Sequence, residues 1–182
     1  SLQMVADRVG LHKSSLFHHF ASKDELAGEV FADIAQRLFD IVEPSVRQPP
    51  RDIEDLLDLS DRLVDHFAAD AAAARVLFRL MVGIPGFDPG DDRCGRIVEQ
   101  TLVALGEALE QARRARIVRR IDVRQALVNF MGLALFYPAV AHAIGRDVIG
   151  ADPGDAAVLA ARKAELRATL RGALQPVPAA TA

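Results

Sequence analysis

The sequence predicts an all-α fold in which a short helical unit at the N-terminus precedes a larger helical bundle. Three observations carry that reading. Apolar residues recur at three- and four-residue spacing along most of the chain, with no period-two alternation and no two-residue hairpin signal. The breaks in the pattern are few and sharp: Gly10, the Pro49-Pro50 pair, and the GIPGFDPG stretch from Gly83 to Gly90. At 182 residues and 51% hydrophobic content, the chain has enough apolar surface for a substantial core.

From Val5 to Leu26 the apolar positions Val5, Val9, Leu11, Leu16 and Phe20 are broken once, at Gly10, which reads as two short helices joined by a tight turn. That is a helix-turn-helix pattern, in which the second helix lies in the DNA major groove and the first braces it. The second helix begins near His12 and presents Lys13, Ser14, Ser15, His18 and His19 outward. Lys13 suits a phosphate or a guanine edge, and the two serine hydroxyls suit phosphate or base. Ser22 and Glu25 form an S-x-x-E capping box that opens the next helix, with Lys23 placed for a phosphate. The bland alternative for Lys13 and Lys23 is ordinary solvated charge. His18 and His19 do not form a metal pair, because adjacent helical residues point about 100° apart. Overall charge is −3, yet over residues 1–23 Arg8, Lys13 and Lys23 outweigh Asp7, so the chain is positive at one end only.

Gly10, Leu11, four polar residues from His12 to Ser15, Leu16, Phe17, His18, His19 and Phe20, followed by Ser22, Lys23, Asp24, Glu25 and Leu26, resemble the DNA-binding signature of the TetR family of bacterial transcriptional regulators. The resemblance covers about the first eighth of the chain. It implies an N-terminal helix-turn-helix DNA-binding domain followed by a helical-bundle ligand-binding and dimerisation domain, and it puts Lys13, Ser14, Ser15, Phe17, His18, His19 and Lys23 at the DNA. Two positions depart from the family pattern. Phe17 stands where the family usually has Tyr, which removes a phenolic phosphate contact, and His12 stands where Ser or Thr often caps the recognition helix. The family also has a helix before this pair, so residues 1–25 are expected to be a partial DNA-binding domain whose natural beginning lies upstream.

The remaining elements follow in order. Leu26, Val30, Ile34, Leu38 and Ile41 mark one face of a long helix from about Asp24 to Glu43. After the proline pair, Ile53 to Phe67 carry a helix to about Ala69, and an alanine-rich helix runs from Ala71 to Val82. Ile97 to Leu109 continue to a basic cluster, Arg113, Arg114, Arg116, Arg119 and Arg120, where cations at a helix C-terminus are the plain reading against an acidic partner. Asp122 and Gln125 cap the most apolar segment, Ala126 to Ala143, which is expected to be buried on most sides and to be interrupted at Pro138. It approaches membrane-spanning length, but a buried helix in a chain with no membrane partner is the better reading. Asp152 and Pro153 are expected to start a last helix within a body spanning residues 26–175, ahead of a tail over 176–182.

Two final helices this apolar call for a partner subunit, and the resemblance implies a homodimer built from them on a palindromic, double-stranded DNA operator. It further implies a small-molecule effector in the helical body. The aromatic and polar residues available for that pocket are Phe67, Phe78, Met81, Phe130, Tyr137 and His142, with Phe136 and His66 beside them, and an apolar ligand suits such walls. Each of these also reads as plain core. The sequence has no G-x-S-x-G, G-x-x-x-x-G-K or H-E-x-x-H and one cysteine, Cys94, so the reading is a non-enzymatic protein with no cofactor or metal, suited to the cytoplasm, and the resemblance implies a repressor. The alternative is a helical ligand-binding and dimerisation module without DNA binding.

Overall fold

The computed structural model describes residues 2–82, 92–148 and 150–176, and leaves the side chains of Lys13, Met81, residue 92 and residues 142–148 outside that description. The glycine-proline stretch from Gly83 to Gly90 and the tail beyond Pro176 also lie outside it. The described residues form helices throughout: α1 Leu2–Val9, α2 Lys13–His19, α3 Lys23–Val42, α4 Pro44–Arg47, α5 Ile53–Ala69, α6 Ala71–Met81, α7 Asp92–Arg114, α8 Val123–Val148 and α9 Ala156–Leu174.

Short polar residues set most of the starts. Ser22, Asp52 and Asp70 each accept the backbone N–H three residues on, at the N-termini of α3, α5 and α6. Asp122 accepts from the Arg124 and Gln125 N–H groups ahead of α8, as its sequence position predicts. The last helix differs from expectation. Asp152 closes a turn by accepting from the Gly154 N–H, and α9 starts only after Asp155.

Helix α5 is the centre of the body. Its Phe67 packs with Ile34, Ala73, Ala74, Leu77 and Leu135, and Leu59 and Leu63 pack with Val42, Ala104 and Leu105. Leu56 meets Ala112, Val118 and Leu174, while Leu57 meets Leu166 and Leu170. A separate cluster of Phe31, Ala32, Ala35, Cys94 and Ile97 joins α3 to α7. The buried face of α3 therefore centres on Phe31 and Ala35, and Val30 is exposed, one position off the stripe the apolar spacing implied. Small residues decide this, because Ala32 and Ala35 let α7 approach closely, a contact that a count of large apolar residues misses. The buried hydroxyls of Ser60 and Thr101 are satisfied locally, Ser60 donating to the Leu57 carbonyl and Thr101 to the Ile97 carbonyl.

Opposite charges join α5 to α9. Arg167 reaches Glu54, Asp58 and Asp61 at 2.6, 2.8 and 2.7 Å, Arg171 also meets Glu54, and Lys163 meets Asp65. The carboxylates of α5 are thus mostly consumed by the partner helix. At the far end of α7, Glu110 binds both Arg113 and Arg114, and Arg119 donates to the Ala173 carbonyl, which supports the plain reading of that basic cluster.

The hydrogen bonds from Arg113, and then Arg114, hold the Glu110 carboxyl from 4.5 down to about 2. The side chain and then the backbone N–H of Arg51 do the same for Asp55, also to about 2. A depressed folded-state value adds stability that is complete above the ordinary carboxylate range and is lost as pH falls toward 2. The thermal midpoint is therefore expected to hold above about pH 5 and to fall between there and about pH 2. Glu110→Gln should flatten part of that acid limb in a calorimetric pH series.

Helix α8 departs most from expectation. It runs unbroken through Pro138, although proline has no N–H to give the Ala134 carbonyl one turn back. It is also far from buried on all sides. Ala134, Leu135 and Ala141 are buried, but Val128 is 62% and Phe136 54% exposed. Residues Val123–Ala141 have the length and hydropathy of a membrane-crossing helix, yet only 11% of that window is buried within the chain.

Candidate nucleic-acid interface and effector cavity

Helices α1 and α2 pack principally on each other, through Leu2 and Ala6 of α1 and Leu16 of α2, all buried. Val5, Val9 and Leu11, which set the apolar pattern in the sequence, are exposed, whereas the small Ala6 is fully buried. Between the helices, Gly10 adopts φ +71°, and the Leu11 N–H donates to the Ala6 carbonyl at 2.9 Å. This is a Schellman turn, and its left-handed position strains any residue with a Cβ. The turn glycine thus sets the angle at which α2 leaves α1.

His12 is the N-cap of α2, with extended backbone and no side-chain cap bond, so its imidazole does not replace the Ser or Thr of the family pattern. Ser14, Ser15, Phe17, His18 and His19 are all exposed, Phe17 at 45%. Lys13 begins α2, but its side chain lies outside the description. His18 and His19 stack edge to face at 5.4 Å, an arrangement in which the two rings face different directions. Lys23, also exposed, opens α3 immediately after the Ser22 cap. There the capping box is modified: Ser22 Oγ accepts the Glu25 N–H at 3.0 Å, while the Glu25 carboxylate returns to the Ala21 N–H, one residue before the cap. The first turn of α3 therefore has a fixed start, and the basic end of the chain joins the body through this helix.

The residues suggested for an effector pocket separate into three places. Phe67 and Tyr137 line one cavity of about 40 Å³ between α5, α8 and α9, with Val64, Ala134, Pro138, Leu159 and Arg162. Phe130 lines a second cavity, about 50 Å³, among leucines and alanines of α5, α7, α8 and α9. Phe78 meets Phe136 edge to face at 6.2 Å, in neither cavity. The side chains of Met81 and His142 lie outside the described residues. His66 is partly buried and its Nε2 has no hydrogen-bond partner among the described residues. Burial, aided by Arg37 and opposed by Asp70, lowers its pKa and keeps the imidazole neutral near pH 7.

Sequence reasoning missed Arg162. Its guanidinium donates to the Leu133 carbonyl at 2.6 Å and lies 4.8 Å from the centre of the Tyr137 ring. A signal was present: Arg162 falls between Leu159 and Leu166 on the apolar stripe of its helix, where a charge is out of place. Among the described residues no group of three or more His, Cys, Asp or Glu side chains is placed to hold a metal.

Comparison with known proteins agrees with this geometry. Residues 1–30 match the family described as bacterial regulatory proteins, tetR family. A solved structure from Mesorhizobium loti MAFF303099, assigned to the TetR family of transcriptional regulators, superposes with a TM-score of 0.63 at 16% identity, over 97% of this chain and 87% of that one. No curated protein matches. Residues 1–30 are thus similar to the N-terminal segment of tetR-family regulatory proteins, and the chain as a whole shares the all-helical fold of that solved structure.

Proposed function

We propose that the protein is a cytoplasmic, non-enzymatic repressor that binds a palindromic operator as a homodimer and releases it when a small, largely apolar effector enters the helical body. The observation that carries the DNA-binding part is the outer face of α2. Ser14, Ser15, Phe17, His18 and His19 are exposed together on a helix held by the Gly10 turn, with Lys23 at the next helix start. In this reading Lys13 and Lys23 meet phosphates, the serines meet phosphate or base, and Phe17 packs on sugar or a thymine methyl.

The dimer is supported by the uncovered side of α8. Val128, Gly132 and Phe136, spaced four residues apart and all exposed, form one stripe on that helix. On α9, Ala157, Ala161, Ala164, Ala168 and Gly172 leave a second exposed stripe of small residues that permits close helix approach. A two-fold axis through such faces gives the assembly two copies of α2, the number a palindromic operator calls for.

Binding to DNA from upstream of the protein's own coding sequence should weaken steeply with salt. Lys13→Ala and Lys23→Ala should each reduce the slope of log affinity against log salt by roughly one unit, if each lysine meets one phosphate. A slope that neither variant changes removes these lysines from the interface. Absence of any DNA binding favours the ligand-binding and dimerisation module instead.

A further inference from the structure

We propose that the cavity between α5, α8 and α9 binds a small organic acid, its carboxylate held by the Arg162 guanidinium and the Tyr137 hydroxyl and its apolar body set among Val64, Phe67, Ala134 and Leu159. The proposal rests on the effector reading above and gives that effector a charge. The cavity wall is apolar apart from these two groups.

Arg162 and Tyr137 are the reason. Arg162 carries five N–H donors, and the Leu133 carbonyl takes one of them. No carboxylate lies within ion-pair distance of Arg162 among the described residues, whereas Lys163 beside it meets Asp65 and Arg167 meets three acids. The Tyr137 oxygen is buried and makes no hydrogen bond among the described residues. A buried donor without a partner is costly, and a half-buried cation without a counter-charge adds a smaller cost of the same kind. Burial also lowers the Arg162 pKa, against a smaller opposing effect of Tyr137, which marks the guanidinium as partly desolvated.

A carboxylate answers both groups at once, one oxygen accepting from the guanidinium and either oxygen from the phenol. A neutral amide or alcohol satisfies the phenol but leaves the charge. A phosphate monoester brings close to two negative charges to a single cation, in a cavity with no second basic side chain in its lining. At about 40 Å³ the cavity holds little more than a water molecule, so an acid with an apolar body has to widen the cleft between α8 and α9 as it enters. That movement at the two helices of the proposed dimer face is how occupancy would shift the population toward an arrangement with altered DNA affinity.

The protein has one tyrosine and no tryptophan, so tyrosine fluorescence reports Tyr137 alone. Hexanoate and cyclohexanecarboxylate, titrated beside hexanamide and cyclohexanecarboxamide, serve as probes. The acids are expected to change the signal and to bind about tenfold or more tightly than their amides. Arg162→Gln should bring acid and amide within about twofold of each other, while Arg162→Lys retains part of the preference. Amides that bind the unaltered protein as tightly as the acids overturn the proposal and leave the apolar effector pocket standing. Preference for the acid that survives Arg162→Gln has the same meaning. If neither acids nor amides reach Tyr137 at millimolar concentration, the proposal and the placement of the effector in this cavity fall together.

Discussion

Phe67→Ala is expected to lower the free energy of unfolding by about 3–5 kcal/mol, the range for truncating a buried aromatic side chain. Phe67 is 2% exposed and sits where α3, α5, α6 and α8 meet, against Ile34, Ala73, Ala74, Leu77 and Leu135. Three of those neighbours are alanine or β-branched, with little freedom to move into the space left behind. A domain of this kind has roughly 5–15 kcal/mol in total, so the variant should be near the edge of folding at physiological temperature. Urea denaturation checks this: the midpoint should fall with the slope unchanged. Phe17→Ala provides the contrast. Exposed on α2, it should move the urea midpoint by less than about 0.5 kcal/mol equivalent while weakening the DNA complex.

Val128→Glu is expected to leave a folded monomer and to lower operator affinity by about a hundredfold or more. In the chain by itself this side chain is 62% exposed, so a carboxylate there costs the protomer little. At a two-fold interface every residue near the axis meets surroundings repeated by its own copy, so one substitution buries two like charges. Each half-site then binds singly, without the gain from a linked second contact. Sedimentation velocity gives the oligomeric state, and a gel-shift titration gives the affinity. A dimer that persists in Val128→Glu moves the interface away from this face of α8.

The N-terminal unit was legible because its signals are local. A glycine at a left-handed turn, a capping serine and a serine-lysine helix start each act within four residues, and Gly10, Ser22 and the α2 boundary stand where the sequence puts them. The limits of α5 and α6 were legible for the same reason, through Asp52 and Asp70. What the sequence obscured depends on neighbours. Helical periodicity identifies an apolar stripe but not which alanine admits another helix, and so Val30, Val5 and Val9 were placed inward where Ala32, Ala35 and Ala6 make the contacts. The apolar character of α8 reads as burial within one chain, although much of it faces outward. Pro138 reads as a break, but the helix continues through it, with Ala134, Leu135 and Ala141 buried on either side. The separation of Phe67 and Tyr137 from Phe130 and Phe78, and the arrival of Arg162 beside Tyr137, come from how α5, α8 and α9 cross, which no spacing within one helix encodes.

The central claim is that α2 reads DNA as one of a symmetric pair, and footprinting on the DNA upstream of the protein's own coding sequence tests it most directly. Protection is expected at two inverted half-sites with centres about one helical turn, roughly 10 base pairs, or a multiple of that apart, lost together in Val128→Glu. A footprint over a single unsymmetric site, unaffected by Val128→Glu, contradicts it.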